Sequence, residues 1–171
     1  QRKHPVTQET SMANLQFRYD PIPSDHQTVE AIVRSTGFFS PDEVDVAVEL
    51  VDQRLLQGPA SGYYFVFAER DGRTLGYGCY GPIAATVGSY DFYWLAVDKG
   101  CQNQGLGRAM RKEIERRIRE AGGRRIYIET SNRAQYAPTR AFHERSGYRQ
   151  EALLKDFYAD GDDKVIYVKT V

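Results

Sequence analysis

One stretch, Asp91 to Ala121, constrains the fold of this 171-residue chain more than any other. DFYWLAV (Asp91–Val97) alternates and is rich in aromatic and β-branched residues, so it reads as a strand. A short turn leads into Gln102-Asn103-Gln104-Gly105-Leu106-Gly107-Arg108-Ala109 and then a helix, from about Gly105 to Ala121. Leu106, Ala109, Met110, Ile114, Ile118 and Ala121 make its apolar stripe, and Gly122-Gly123 is a natural C-cap. Glu113 with Arg117, and Glu115 with Arg119, are spaced for pairs on a solvated face.

The flanks extend the pattern. Asn14 to Tyr19 reads as a strand and Ser24 to Thr36 as a helix. A second helix is marked by Ser40 as N-cap, Pro41 at its first position and Glu43 completing a capping box, with Phe39 and Val44 as a hydrophobic staple. After Gly58-Pro59 the period changes: Tyr63–Glu69, Leu75–Ala84 and Tyr90–Val97 form an antiparallel meander with a tight turn at Asp71-Gly72. Ile126–Thr130 is a strand, Pro138–Arg145 a helix stopped by Gly147, and two last strands meet at Asp160-Gly161. The order β-α-α-β-β-β-α-β-α-β-β is an α/β fold with a mixed, largely antiparallel sheet of about seven strands and about four helices.

Composition narrows the function classes. The chain has 23 Lys plus Arg and 23 Asp plus Glu, so no overall field draws it to nucleic acid or anionic lipid. No apolar run approaches the roughly 20 residues that span a bilayer. Cys79 and Cys101 lack metal-site companions and fit a reduced intracellular protein, which makes the cytoplasm the expected compartment. Residues 1–13 carry basic residues without the apolar stretch of a signal peptide, and are expected to be a flexible polar arm before one domain over 14–171.

The glycines after the strand let backbone approach a ligand. A helix that starts there aims unpaired N–H groups and a partial positive charge outward, a site suited to a pyrophosphate. Glycines between strand and helix are also ordinary turn residues. A Rossmann site is the nearest rival, but its third glycine position is Met110 and no βαβ repeat precedes it. A P-loop would need Gly-Lys-Ser/Thr, which is absent here.

Gln102 to Ala109 resembles the Q/R-x-x-G-x-G/A motif of the GNAT acetyltransferases, five residues beyond a strand ending L-A-V. The helix, short strand, second helix and Gly147-Tyr148 that follow also resemble that family's order. The resemblance implies an N-acetyltransferase with a GNAT-like sheet that uses acetyl-CoA and no metal. It implies that the amides of Gln102, Asn103, Gln104, Gly105, Leu106, Gly107 and Arg108 hold the CoA pyrophosphate; the Arg108 side chain, in the first turn of the helix, is placed either to reach a CoA phosphate or to be a plain surface arginine. The main chain over Leu95, Ala96 and Val97 would pair with the pantetheine arm, and the Leu95 N–H would face the thioester carbonyl as an oxyanion donor.

Attack on a thioester needs a neutral amine, and the leaving thiolate benefits from a donor. Asp91, four residues before Leu95, stands where many GNAT enzymes carry a glutamate base, and alternation puts it on one face with Tyr93, Leu95 and Val97. An Asp at a strand start also satisfies turn amides. Glu129 is an alternative base or an anchor for the substrate ammonium. The family's usual tyrosine acid is replaced by His143, which can donate to sulfur or act as a base, or else is helix surface. Tyr136 stands where many relatives have a cofactor-bonding asparagine, and Tyr93, Thr130, Ser131 and Asn132 are further contact candidates. Asp42, Asp45, Glu49, Asp156, Asp160, Asp162 and Asp163 would favour cationic acceptors or simply solvate turns.

The resulting expectation is direct acetyl transfer to a primary amine of a small molecule. Acetylation of a protein N-terminus or lysine is the alternative, and a non-catalytic acyl-CoA sensor a third reading. The oligomeric state is left open: a homodimer through an exposed last strand rests on analogy alone.

Overall fold

A computed structural model of the chain describes residues 12–171. Its regular elements are β1 (Gln16–Arg18), α1 (Asp25–Ser35), α2 (Pro41–Gln57), β2 (Tyr64–Arg70), β3 (Arg73–Pro82), β4 (Ser89–Val97), α3 (Leu106–Glu120), β5 (Arg125–Ser131), α4 (Ala137–Arg145), β6 (Arg149–Ala159) and β7 (Asp162–Thr170). This is the order expected. The seven strands form one sheet, β1-β2-β3-β4-β5-β7-β6. The β4–β5 pair is parallel, and the β1–β2, β2–β3, β5–β7 and β6–β7 pairs are antiparallel. The fold is GNAT-like.

The chain packs as two compact units: the described residues up to Tyr80 with Trp94–Ile114, and Gly81–Tyr93 with Glu115–Val171. In the first, α2 starts where the capping box placed it: the Glu43 N–H donates to Ser40 Oγ at 3.3 Å, and the Ser40 N–H to Glu43 Oε2 at 2.8 Å. Val44, Ala47, Val48 and Val51 of α2, with Val29, Ile32 and Val33 of α1, bury against Phe65, Phe67, Tyr77 and Cys79. Phe39 packs on that cluster, as a staple should. The Asp71-Gly72 turn carries φ of +51° and +74°, the left-handed pair of a two-residue hairpin. Met12, which the arm expectation covered, instead packs with Leu15 and Val97 on Leu75, Cys101 and Leu106. The rest of that expectation, residues 1–11, lies outside the described residues.

In the second unit two expectations about α3 change. Glu115 is 5% exposed rather than solvated. Its carboxylate accepts the Tyr148 hydroxyl at 3.1 Å and Lys169 Nζ at 2.9 Å, because β7 brings a lysine to that helix face. Ala121, counted in the apolar stripe, lies beyond the last helical residue and is exposed. On the solvated side Arg116 pairs with Glu120, four residues on.

Candidate active site

The turn ahead of α3 belongs to the first unit. The Asp98 carboxylate accepts the Gly100 N–H at 2.9 Å and shapes a short 3-10 turn, Lys99–Cys101. Cys101 and Leu106 bury against Leu75 and pin the turn at both ends. Gln102 donates to the Val97 carbonyl, and the Gln104 amide oxygen accepts from Arg70, each at 3.3 Å. These two side chains therefore turn toward the protein. Asn103 and Gly105 take φ of +61° and +80°. The helix ladder begins where the Ala109 N–H donates to the Gly105 carbonyl, at 3.0 Å. The amides of Leu106, Gly107 and Arg108 thus form the open, positive end of a 15-residue helix.

Gly107 stands apart from the other glycines of this unit. Gly105 needs its positive φ, and a Cβ on Gly76 would lie 2.8 Å from the Ala96 carbonyl oxygen. A Cβ on Gly107 would meet only Leu95 Cδ2 and Val97 Cγ2, each at 4.0 Å, an ordinary contact. Its φ is not positive either. Glycine inside a helix costs roughly 0.5–1 kcal/mol relative to alanine. Nothing in the unit's own packing asks for that cost.

The second feature lies wholly in the other unit. The parallel ladder pairs Ser89, Tyr90 and Asp91 with Arg125, Ile126 and Tyr127, and stops there. β5 remains paired to β7 as far as Ser131. Where β4 leaves the ladder, Asp91, Phe92, Tyr93, Tyr127, Glu129 and Tyr158 line a cavity of about 220 Å³. Burial pushes the Asp91 carboxyl above its ordinary range, and the Glu129 carboxylate adds to this. A hydrogen bond from Tyr93 and the Lys164 ammonium act the other way. Glu129 is itself paired: Lys164 Nζ lies 2.6 Å from Glu129 Oε2, over the Phe157 ring at 3.7 Å and near Tyr158 at 5.8 Å. The ammonium that Glu129 holds here is therefore the protein's own.

Of the site residues expected from sequence, Asp91, Tyr93 and Glu129 meet in this cavity. His143, Thr130 and Tyr136 do not line it. His143 is 9% exposed, with its ring centroid 5.8 Å from Phe142, 6.1 Å from Tyr148 and 5.8 Å from Tyr167. Thr130 is buried, and Tyr136 is buried beneath the Arg133 guanidinium, 5.4 Å from its ring. Ser131 and Asn132 serve the fold: the Ser131 hydroxyl donates to Asp162, and Asn132 exchanges side-chain and backbone bonds with Asp163. Asp162 also pairs with Arg133, and Asp156 caps the Gly161 N–H, so these acids secure the β6–β7 end. In the other unit, Leu95 and Val97 carry the side chains that floor Gly107, and Ala96 is buried among the α1 and α2 residues. Sequence reasoning missed Lys164, Tyr158 and Tyr127. A lysine in an alternating last strand carries no local mark of such a role.

The model of the acetyltransferase (GNAT) family matches residues 27–148, and the chain belongs to that family. Over 110 residues it is 34% identical to an uncharacterized N-acetyltransferase of Methanocaldococcus jannaschii, a match over 61% of this chain. That match spans 65% of the relative's own length. A crystal structure from Desulfovibrio desulfuricans, assigned to the GNAT acetyltransferases, is 51% identical, with a TM-score of 0.89 over 91% of this chain and 98% of that one. An aminoglycoside 6'-N-acetyltransferase complexed with coenzyme A shares the fold at 17% identity, with a TM-score of 0.73 over 91% of this chain and 96% of its own. Among the described residues no helix is long and apolar enough to cross a membrane.

Proposed function

We propose that this chain transfers the acetyl group of acetyl-CoA directly to a primary amine of a small molecule, in a ternary complex. The observation that carries the reading is Gly107. It is a helical glycine that neither backbone angle nor neighbouring atoms require, next to the open amides of α3. A residue without a side chain at that place suits close approach by a diphosphate. The amides of Gln102 to Arg108 are assigned to the CoA pyrophosphate, and the Leu95 N–H to the thioester carbonyl as an oxyanion donor. The fit rests on this glycine and on the family's use of the corresponding motif.

Asp91 is assigned as the base. A carboxyl held above its ordinary range by burial accepts a proton more readily than an exposed one, and it removes the ammonium proton directly or through one water. The cavity supports a small acceptor: about 220 Å³ bounded by two carboxylates and three tyrosines suits an amine-bearing group. His143 is assigned to the departing sulfur.

Thiol release from acetyl-CoA, screened against amino acids, polyamines and aminoglycosides, tests the proposal. Turnover with at least one of these amines is expected. Tight CoA binding with no release for any acceptor, peptides included, would instead make the chain a CoA sensor.

A further inference from the structure

Lys164 has no part in the reaction just described, yet it is nine-tenths buried, in β7, in register with Ser131 of β5. An ammonium leaves water at a cost that only close partners offset. Its partners are Glu129, which lines the Asp91 cavity, and the face of Phe157. The groups that face Asp91 are Tyr93 from its own strand, Tyr127 and Glu129 from β5, Tyr158 from β6, and Lys164 from β7. Lys164 is the cation of this set. Remove its charge and two uncompensated carboxylates share one small cavity, an arrangement in which one of them keeps its proton.

We propose that Lys164 is a positioning residue of the acetyl transfer: its ammonium compensates Glu129 and leaves Asp91 as the cavity carboxylate that takes the amine's proton. The inference rests on Asp91 being the base. Lys164 touches neither the thioester nor the acceptor in this scheme. It compensates Glu129 and also acts on Asp91 through its own charge, so its loss is felt at Asp91 with or without that carboxylate.

Four variants separate this role from plain packing. With Lys164→Met the Asp91 carboxyl titrates higher, because Glu129 is no longer compensated. With Glu129→Gln it titrates lower, because the neighbouring negative charge is gone and the lysine remains. The double variant Lys164→Met/Glu129→Gln returns it toward the wild-type position, and Lys164→Arg leaves it there. The readout is carbon NMR of the Asp91 carboxyl in the ligand-free protein, with circular dichroism melts to verify folding. The acid limb of kcat/KM should follow the same order, losing tenfold in rate per unit of upward shift at a pH below the midpoint.

If Lys164→Met fails to fold, the comparison of Glu129→Gln with the double variant carries the test, since loss of the lysine still raises the Asp91 midpoint. An unmoved midpoint in a folded Lys164→Met protein, with Asp91→Asn inactive, overturns the role of Lys164 alone. Full turnover by Asp91→Asn overturns the base assignment beneath it, whatever the midpoints do.

Discussion

The turn ahead of α3 and the cavity beside Asp91 handle charge by opposite means. The turn offers backbone amides and a helix end, with its glutamine side chains directed back at the protein. The cavity offers side chains: Asp91, Glu129 and three tyrosines, adjusted by a buried lysine. Amides carry no proton that pH removes, so the turn should tolerate acid and be defeated only by bulk. The cavity works through ionisation and should be defeated by pH and by single-atom changes.

The largest effect expected is from bulk at the turn. Gly107→Trp should abolish CoA binding in calorimetry while thermal unfolding still shows a folded protein, because a Cβ there meets Leu95 and Val97 only at 4.0 Å, an ordinary contact. Retained affinity would break the assignment of the turn.

Next comes Asp91→Asn, which exchanges one carboxylate oxygen for an NH2 group. A general base contributes roughly 10²- to 10⁴-fold, and kcat/KM should fall on that scale with CoA affinity unchanged. The stability sign follows from the raised carboxyl. As pH climbs through the ordinary carboxylate range, the unfolded chain ionises before the folded one, so folding is progressively disfavoured until the folded value is passed. The asparagine variant escapes this penalty. Its melting temperature should equal or exceed the wild type's at neutral pH, and the gap should close in acid.

His143→Phe should act less strongly. Phenylalanine preserves ring packing against Phe142, Tyr148 and Tyr167 but removes the ring nitrogens. Turnover should drop with little change in CoA affinity, and an unchanged rate would reduce His143 to a core residue. The smallest and sharpest effect is Gly107→Ala. It should raise stability by up to about 1 kcal/mol, since the methyl group fits at 4.0 Å and a helical glycine is replaced. Weaker CoA binding in the same variant would show that function, not folding, holds glycine there. Gly76→Ala gives the contrast, a loss of stability, because its Cβ would press on the Ala96 carbonyl.

The same contrast explains what was legible in sequence. The capping box at Ser40, the Asp71-Gly72 hairpin and the glycine turn depend on residues a few positions apart, and each was readable. The face that Asp91 shares with Tyr93 followed from strand alternation, and Glu129 was picked out as a carboxylate late in the next strand. Their partners were not readable. Lys164 reaches Glu129 only because β7 lies beside β5, and Glu115 is buried only because Lys169 and Tyr148 come to meet it. Asn132 looked like a contact residue until Asp163, on the neighbouring strand, claimed its amide. Pairing across the sheet decides these roles, and no local pattern encodes it.

The most direct test is the pH profile of kcat/KM for the best amine acceptor, recorded for the wild type and Asp91→Asn at saturating acetyl-CoA. The account predicts a wild-type acid limb shifted upward from that of an ordinary aspartate, and loss of both the limb and most of the rate in the variant. Equal rates in the two proteins at every pH would contradict it.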